Sequence, residues 1–211
     1  MTLSVVTGAS RGIGAALARR LPGEVIGTST SGGGGLVALD LVRPEFGPLA
    51  DAIAGRPLDV LVCNAGVFLD RAERLEDGFP PPMWAEELAV NVTGVFLTVQ
   101  ALLPALRAAR GRVAVISSQM GSSEKASGGS YIYRASKAAS ANLARNLAAD
   151  LRSDGITVVA FHPGWVRTDM GGSSAAITAE ESAEGLASQI TGLSVADGGA
   201  FLNWDGRPHA F

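Results

Sequence analysis

The chain has 211 residues, 47% of them apolar, with 17 basic against 20 acidic side chains and a net charge of −3. That is length and apolar material for one globular domain over residues 1–211, and no basic block or aromatic-basic interleaving marks a nucleic-acid binder. A single cysteine, Cys63, excludes an internal disulfide framework, and with only two histidines beside it no metal site is expected.

The opening MTLSVVTGAS enters a strand-like run at once, without the basic segment and long apolar stretch of a signal peptide. No uninterrupted apolar run approaches the roughly 18 residues of a membrane span. A cytoplasmic protein without membrane or nucleic-acid partners is therefore expected.

Short β-branched runs at 3–7, 24–28, 36–39, 60–64, 112–117, 157–162 and 200–203 alternate with helical patterns near 12–21, 46–54, 83–109, 133–153 and 179–190. Such alternation builds a parallel sheet through crossover helices. Val60-Leu-Val-Cys63 is apolar on successive residues, as a strand covered on both faces should be. The expected fold is α/β: one Rossmann-type, doubly wound parallel sheet of about seven strands with helices on both faces. One crossover, Ser29-Thr-Ser-Gly-Gly-Gly-Gly35, is too short and glycine-rich for a helix and should be an edge loop.

The first strand runs into Thr7-Gly-Ala-Ser-Arg-Gly-Ile-Gly14 and then a helix. Gly8, Gly12 and Gly14 permit a tight turn and close backbone approach, so the N–H groups around Ser10, Arg11 and Ile13 face a pyrophosphate at a helix start. The spacing, G-x-x-x-G-x-G, resembles the cofactor loop of the short-chain dehydrogenase/reductase family. Asn64-Ala65-Gly66 resembles that family's NAG motif, and Asn91 in NVTG its helix asparagine. Tyr133-Arg-Ala-Ser-Lys137 resembles its YxxxK, and Pro163-Gly164-Trp-Val166-Arg-Thr168 its PGxxxT. The stretches around Tyr133 and Pro163 are similar to a narrower branch, the sniffer-like carbonyl reductases and bacterial C-factor proteins.

A free phenol has a pKa of about 10, and a nearby cation favours its ionisation. Tyr133 and Lys137 are four apart on a helical pattern and share one face. The resemblance implies that Tyr133 exchanges a proton with the substrate oxygen, and that Lys137 binds the nicotinamide ribose and brings the tyrosine below its ordinary range. It also implies a serine that polarises the carbonyl. Ser117 and Ser118 both close a strand and alternate in direction, and the resemblance selects Ser118. Asn91, an amide in an apolar helix, needs partners; the family uses it to hold a water linking the lysine to solvent.

The second strand ends Thr28-Ser29-Thr30 with no acid for a ribose 2′-hydroxyl, and Arg11 matches the basic residue of NADP-preferring members. NADP(H) is favoured, with NAD(H) the alternative. Asp40, followed by Leu41, matches the acid that meets the adenine. The segment 171–177 is short and should be a mobile lid over an open pocket flanked by Met120, Tyr131, Trp165 and Met170. Phe79-Pro-Pro-Pro82 reads as a rigid loop, and Thr178-Ala-Glu-Glu181 as a capping box.

The implied activity is interconversion of a small-molecule carbonyl and an alcohol. The alternatives are a nucleotide-binding signalling protein of C-factor type and an NAD-linked alcohol dehydrogenase. In the helix 133–153, Ala135, Ala139, Leu143, Leu147 and Leu151 make an apolar stripe. Ser136, Ser140, Ala144 and Ala148 make a small-residue stripe where a second helix could approach, which points to a homodimer or homotetramer.

Overall fold

The computed structural model describes residues 1–211. Its strands are β1 (Leu3–Val6), β2 (Glu24–Ser29), β3 (Val37–Ala38), β4 (Val60–Cys63), β5 (Arg112–Ile116), β6 (Thr157–His162) and β7 (Phe201–Asn203). They form one sheet in the order β3-β2-β1-β4-β5-β6-β7, and every neighbouring pair is parallel. All seven expected strands are present. The helices are α1 (Gly12–Ala18), α2 (Gly47–Ile53), α3 (Pro81–Leu88), α4 (Gly94–Ala109), α5 (Tyr131–Leu151) and α6 (Ala179–Gly192).

Alternation along the strands divides the apolar side chains between two cores. Leu3, Val5, Leu61, Cys63, Val113, Val115 and Val158 meet α2, α4 and α5 on one face. Val6, Val60, Val62, Ala114, Ile116, Val159 and Phe161 meet α1 and α6 on the other. Both faces being covered explains why the central strands carry almost no polar residue. The chain winds outward from β1 to β3, then returns to β4 beside β1. At that reversal the carboxyl ends of adjacent strands diverge and leave a crevice, where ligands of such sheets bind.

The β2–β3 crossover is a loop, as expected, closed by an antiparallel bridge between Gly33 and Leu36. The Thr178–Glu181 capping box is formed in both directions. Three expectations need correction. The proline run is not a free loop: Pro80 caps α3, and Pro81 and Pro82 form its first turn, where a missing N–H costs nothing. The segment 171–177 is tied at its base by a Val166–Ile177 bridge and by Trp165 Nε1 donating to Gly171 O at 2.9 Å.

The stripes of α5 are also exchanged. Ser136, Ser140, Ala144 and Ala148 are all buried inside the chain, Ser136 against Asn91 and Ser140 against Ser117 at the end of β5, and it is Ala139, Leu143 and Leu147 that lie half-buried on the flank. Small side chains let the helix settle closely on β5 and β6, so their periodicity reports an internal contact.

The run Pro81–Ala109 is long and apolar enough, by length and composition, to cross a membrane. Its inner residues Val95, Val99, Leu102 and Leu106 are core. Within it, residues Ala89–Thr93 form a π-helical turn centred on Asn91. Such turns are rare and shift the helical hydrogen-bond ladder by one residue, often at functional sites.

Candidate active site

The glycine loop, the NAG segment and the PGxxxT segment meet at the carboxyl ends of β1, β4 and β6. Thr7 joins the first two: its Oγ1 accepts the N–H groups of Asn64 and Ala65, each at 3.0 Å. Asn64 Nδ2 donates in return to the carbonyls of Thr7 and Gly8 at 3.0 and 3.1 Å. Gly14 is required by this closeness, because a Cβ there would stand 2.2 Å from Gly8 O and 2.5 Å from Asn64 Nδ2. Gly12 lies against the Thr168 methyl group.

Ser10 and Arg11 are exposed at the rim, and α1 begins at Gly12 with no side-chain cap. The first N–H groups of a helix have no internal partner, so those of Gly12 to Gly14 are free for an anion. A dinucleotide pyrophosphate fits this cradle: free donors, no side chains in the way, and an arginine at the edge. Arg11 meets Asp169 at 3.4 Å with both side chains largely exposed, a pair worth little and easily surrendered.

At the adenine end Thr28 is buried, and its carbonyl holds Ala9 N–H at 2.7 Å. Ser29 Oγ is engaged with Gly32, which leaves Thr30 as the exposed hydroxyl. Asp40 Oδ1 accepts Val42 N–H at 2.9 Å. The Leu41 side chain, expected at the cofactor, is instead core, packed on Gly94, so only its backbone is available there. Pro163 O accepts Ser182 Oγ at 2.6 Å, Gly164 follows in the left-handed region, and Val166 is buried at the Ile177 bridge. Thr168 Oγ1 accepts Gly171 N–H at 3.0 Å.

Tyr133 and Lys137 occupy the first turns of α5, facing the sheet, and both are buried. The two serines part as their alternation requires. Ser117 Oγ donates to Lys137 O at 2.7 Å and so anchors α5. Ser118 Oγ accepts Met120 N–H at 3.1 Å and turns toward the Tyr133 phenol. Asn91 is fixed on three sides, giving Nδ2 to Val67 O and Ser136 Oγ at 2.9 and 3.0 Å and accepting Val67 N–H. Gly66 makes room: a Cβ there would lie 3.1 Å from Asn91 Oδ1 and 3.3 Å from Lys137 Nζ. Lys137 Nζ donates to Ile116 O at 3.0 Å and lies 5.6 Å from the Tyr133 ring centre.

The expected fall in the tyrosine's pKa does not appear. Burial, the largest influence, pushes the phenol up to about 12; Ser118 and Arg71 pull it back and Glu87 adds to the rise. Burial likewise pulls the Lys137 ammonium down to about 8, against support from Glu87. At neutral pH the site therefore holds a protonated phenol beside a charged lysine.

Phe68, Arg71, Asp70 and Glu87 were not singled out in the sequence, whereas Tyr131, Trp165 and Met170 were expected around the pocket. Phe68 stacks on Tyr133 with ring centres 4.1 Å apart, and the Arg71 guanidinium covers its ring at 4.8 Å. Phe79 meets Tyr131 edge-on at 5.2 Å, and Met170 Sδ lies 3.9 Å from the Tyr133 hydroxyl. With exposed Trp165 these make an apolar mouth over one hydroxyl. Asp70, fully buried, accepts Ile132 N–H at 2.7 Å and Tyr133 N–H at 3.4 Å, capping α5 from a distant loop. Glu87 is also fully buried; its place four residues before Asn91 was the available clue.

The sequence profile of the short chain dehydrogenase family matches residues 49–178. The C-signal protein of Myxococcus xanthus is 38% identical over 160 residues, which is 71% of this chain and 90% of that one. An NADPH-bound carbonyl reductase from chicken fatty liver superposes with a TM-score of 0.88 at 29% identity, covering 100% of both chains. The carbonyl reductase Sniffer of D. melanogaster does so with a TM-score of 0.87 at 27% identity, covering 100% of this chain and 99% of its own. The glycine loop precedes the profile match, and there the likeness rests on the full-length superpositions.

Proposed function

The chain belongs to the short-chain dehydrogenase family and is an oxidoreductase; on that premise we propose that it is an NADP(H)-dependent enzyme reducing aldehydes or ketones to alcohols. The observation that carries this reading is the buried Tyr133 phenol at an apolar mouth, with Ser118 beside it, buried Lys137 one turn on, and the glycine cradle at the same carboxyl end of the sheet.

Gly8, Gly12, Ile13 and Gly14 would hold the pyrophosphate, Arg11 and Thr30 the 2′-phosphate, and Asn64 to Gly66 with Pro163 to Thr168 the nicotinamide half. When bound, NADPH supplies the hydride. The residues of the chain handle the substrate oxygen. Ser118 Oγ hydrogen-bonds it and polarises the carbonyl. Tyr133 Oη gives it a proton, and the Lys137 ammonium steadies the phenolate that results. Asn91 holds Val67 and Ser136 so that the lysine and tyrosine keep their register. Phe68, Tyr131, Trp165 and Met170 exclude water and favour an apolar carbonyl.

NADPH is expected to bind at least about tenfold tighter than NADH, about 1.4 kcal/mol. The Arg11–Asp169 pair costs little to break, so the guanidinium is free to take the phosphate. Arg11→Ala should erase most of the preference and leave NADH affinity near parental, read by titration of cofactor fluorescence. Equal affinities in the parent would remove the NADP assignment.

The outer faces of α4 and α5, with exposed Phe96 and half-buried Leu103, Leu143 and Leu147, support a homo-oligomer, a dimer first. A monomer mass by light scattering at micromolar concentration would rule it out. A cytoplasmic setting with an NADPH supply suits this chemistry.

The likeness to C-signal favours a second reading, a nucleotide-binding signalling protein with little turnover. A panel of carbonyls with NADPH separates the two. Turnover that depends on Tyr133 supports the reductase; cofactor binding without turnover of any carbonyl supports the signalling protein.

A further inference from the structure

Ser118 leads into a single 3-10 turn, Gln119–Gly121, between β5 and α5. It caps that turn, accepting Met120 N–H with Oγ at 3.1 Å and Gly121 N–H with its carbonyl at 3.0 Å. Because Oγ is an acceptor there, its own hydrogen is free to be donated. The far end of the turn is packed on α5: a Cβ on Gly121 would stand 2.6 Å from Ala138 N. The near end is different, since the first N–H, that of Gln119, has no partner inside the turn.

Its partner comes from the neighbouring strand. The β5–β6 ladder ends with Ser117 N–H on Phe161 O at 2.8 Å, and Pro163 has no N–H to extend it. One residue before that proline, His162 Nδ1 accepts Gln119 N–H at 3.2 Å. His162 is itself fixed: it pairs with Asn203 of β7, its carbonyl holds Trp204 N–H at 2.8 Å, and it is buried. The other side chain that reaches the turn is Arg134, whose 3.4 Å approach to Met120 O is long for a hydrogen bond.

We propose that His162 is a positioning residue for the reaction: its imidazole pins the turn that follows Ser118 and so aims the serine hydroxyl at the substrate oxygen. This rests on the part given to Ser118 above. An Nδ1 that accepts a hydrogen bond must be bare, so the ring is neutral with its hydrogen on Nε2. The charged and titratable groups facing it are His209, whose ring meets it edge-on at 5.2 Å, and Lys125, whose Nζ lies 3.5 Å from His209 Nε2. Burial first, then these two neighbours, pull the imidazole down to about 4, which keeps the pin intact into mildly acidic solution. Because His162 adjoins Pro163, the same ring ties the serine turn to the segment given to the nicotinamide half.

His162→Phe keeps a ring and removes the acceptor. It should lower turnover of the best carbonyl by about ten- to a hundredfold, the scale of a small misplacement, and leave the KM for NADPH near parental. In a Ser118→Ala background the same replacement should cost almost nothing more, because the group it aims is gone. His162→Asn, which offers an amide oxygen close to the Nδ1 position, should recover most of the loss. A residue serving only the fold would cost the same in both backgrounds, and that result overturns the proposal. The chain has two histidines, His162 and His209, so 15N-labelled histidine reads the ring in the parent even if a variant fails to fold. Down to a pH of about 5, where a free imidazole with a pKa of about 6.5 is mostly charged, His162 should stay neutral with its hydrogen on Nε2. A proton on Nδ1 in that range overturns the proposal whatever the turnover. The expected tautomer in a protein that reduces no carbonyl supports the pin and removes the reductase reading instead.

Discussion

Replacing Tyr133 by phenylalanine is expected to lower carbonyl reduction by about a hundred- to ten-thousandfold, the range for a lost general acid. The substitution removes one hydroxyl and keeps the ring, so the stack on Phe68 at 4.1 Å survives and the fold should hold. The hydroxyl's contacts are the Met170 sulfur at 3.9 Å and the Ser118 side chain, neither of which anchors a helix. NADPH affinity should therefore stay near parental, and the loss should fall on turnover.

The pH dependence of the parent has a definite sign. A phenol held up at about 12 keeps its proton through the neutral and alkaline range. Lys137, at about 8, loses its charge first. Reduction should thus decline as pH rises through about 8 because of the lysine, with the phenol still protonated. Alcohol oxidation, which needs a phenolate steadied by that ammonium, should rise with pH only while Lys137 keeps its charge and gain no further above about 8. More than a tenth of parental turnover in Tyr133→Phe, on the best carbonyl found, would sink this mechanism and make Tyr131 the next residue to test.

Gly14→Ala should abolish useful cofactor binding with little scope for repair. The added methyl would stand 2.2 Å from Gly8 O and 2.5 Å from Asn64 Nδ2. Neither atom is the end of a flexible chain: one is backbone, and the other is held by the carbonyls of Thr7 and Gly8. The glycine loop must therefore open away from the NAG segment, at an overpacking cost of about 1–3 kcal/mol. The same opening pulls the N–H donors of the first helical turn out of register with an anion. NADPH affinity should drop by at least about a hundredfold, about 2.8 kcal/mol. Thermal melting should show a modestly destabilised but folded chain, and adding NADPH should no longer raise its midpoint. If the variant bound NADPH within a few-fold of the parent, the loop between β1 and α1 would not be the cradle.

The sequence by itself carried the seven parallel strands and the close-packed glycine loop, because both depend on local composition. Doubly covered strands must be apolar on both faces, and a backbone that approaches an anion must carry glycine. It singled out Tyr133, Lys137, Asn91 and the pair Ser117 and Ser118 as candidates for a related reason: a motif fixes residue type and spacing within one element. What it could not decide is direction in space. Only packing turned Ser117 into α5 and left Ser118 to the phenol. Packing also placed the small-residue stripe of α5 inside the chain, since periodicity says that a face is special and not what covers it. Asp70 and Glu87 come from segments without motif: Asp70 reaches the first turn of α5, and Glu87 holds Leu69 of the same loop, only because the β4 loop and the α3 helix fold over that turn. The tyrosine's ionisation was likewise beyond the sequence. It is set by the contest between a cation nearby and the cost of charge in a dry site, and burial, a property of the whole fold, wins.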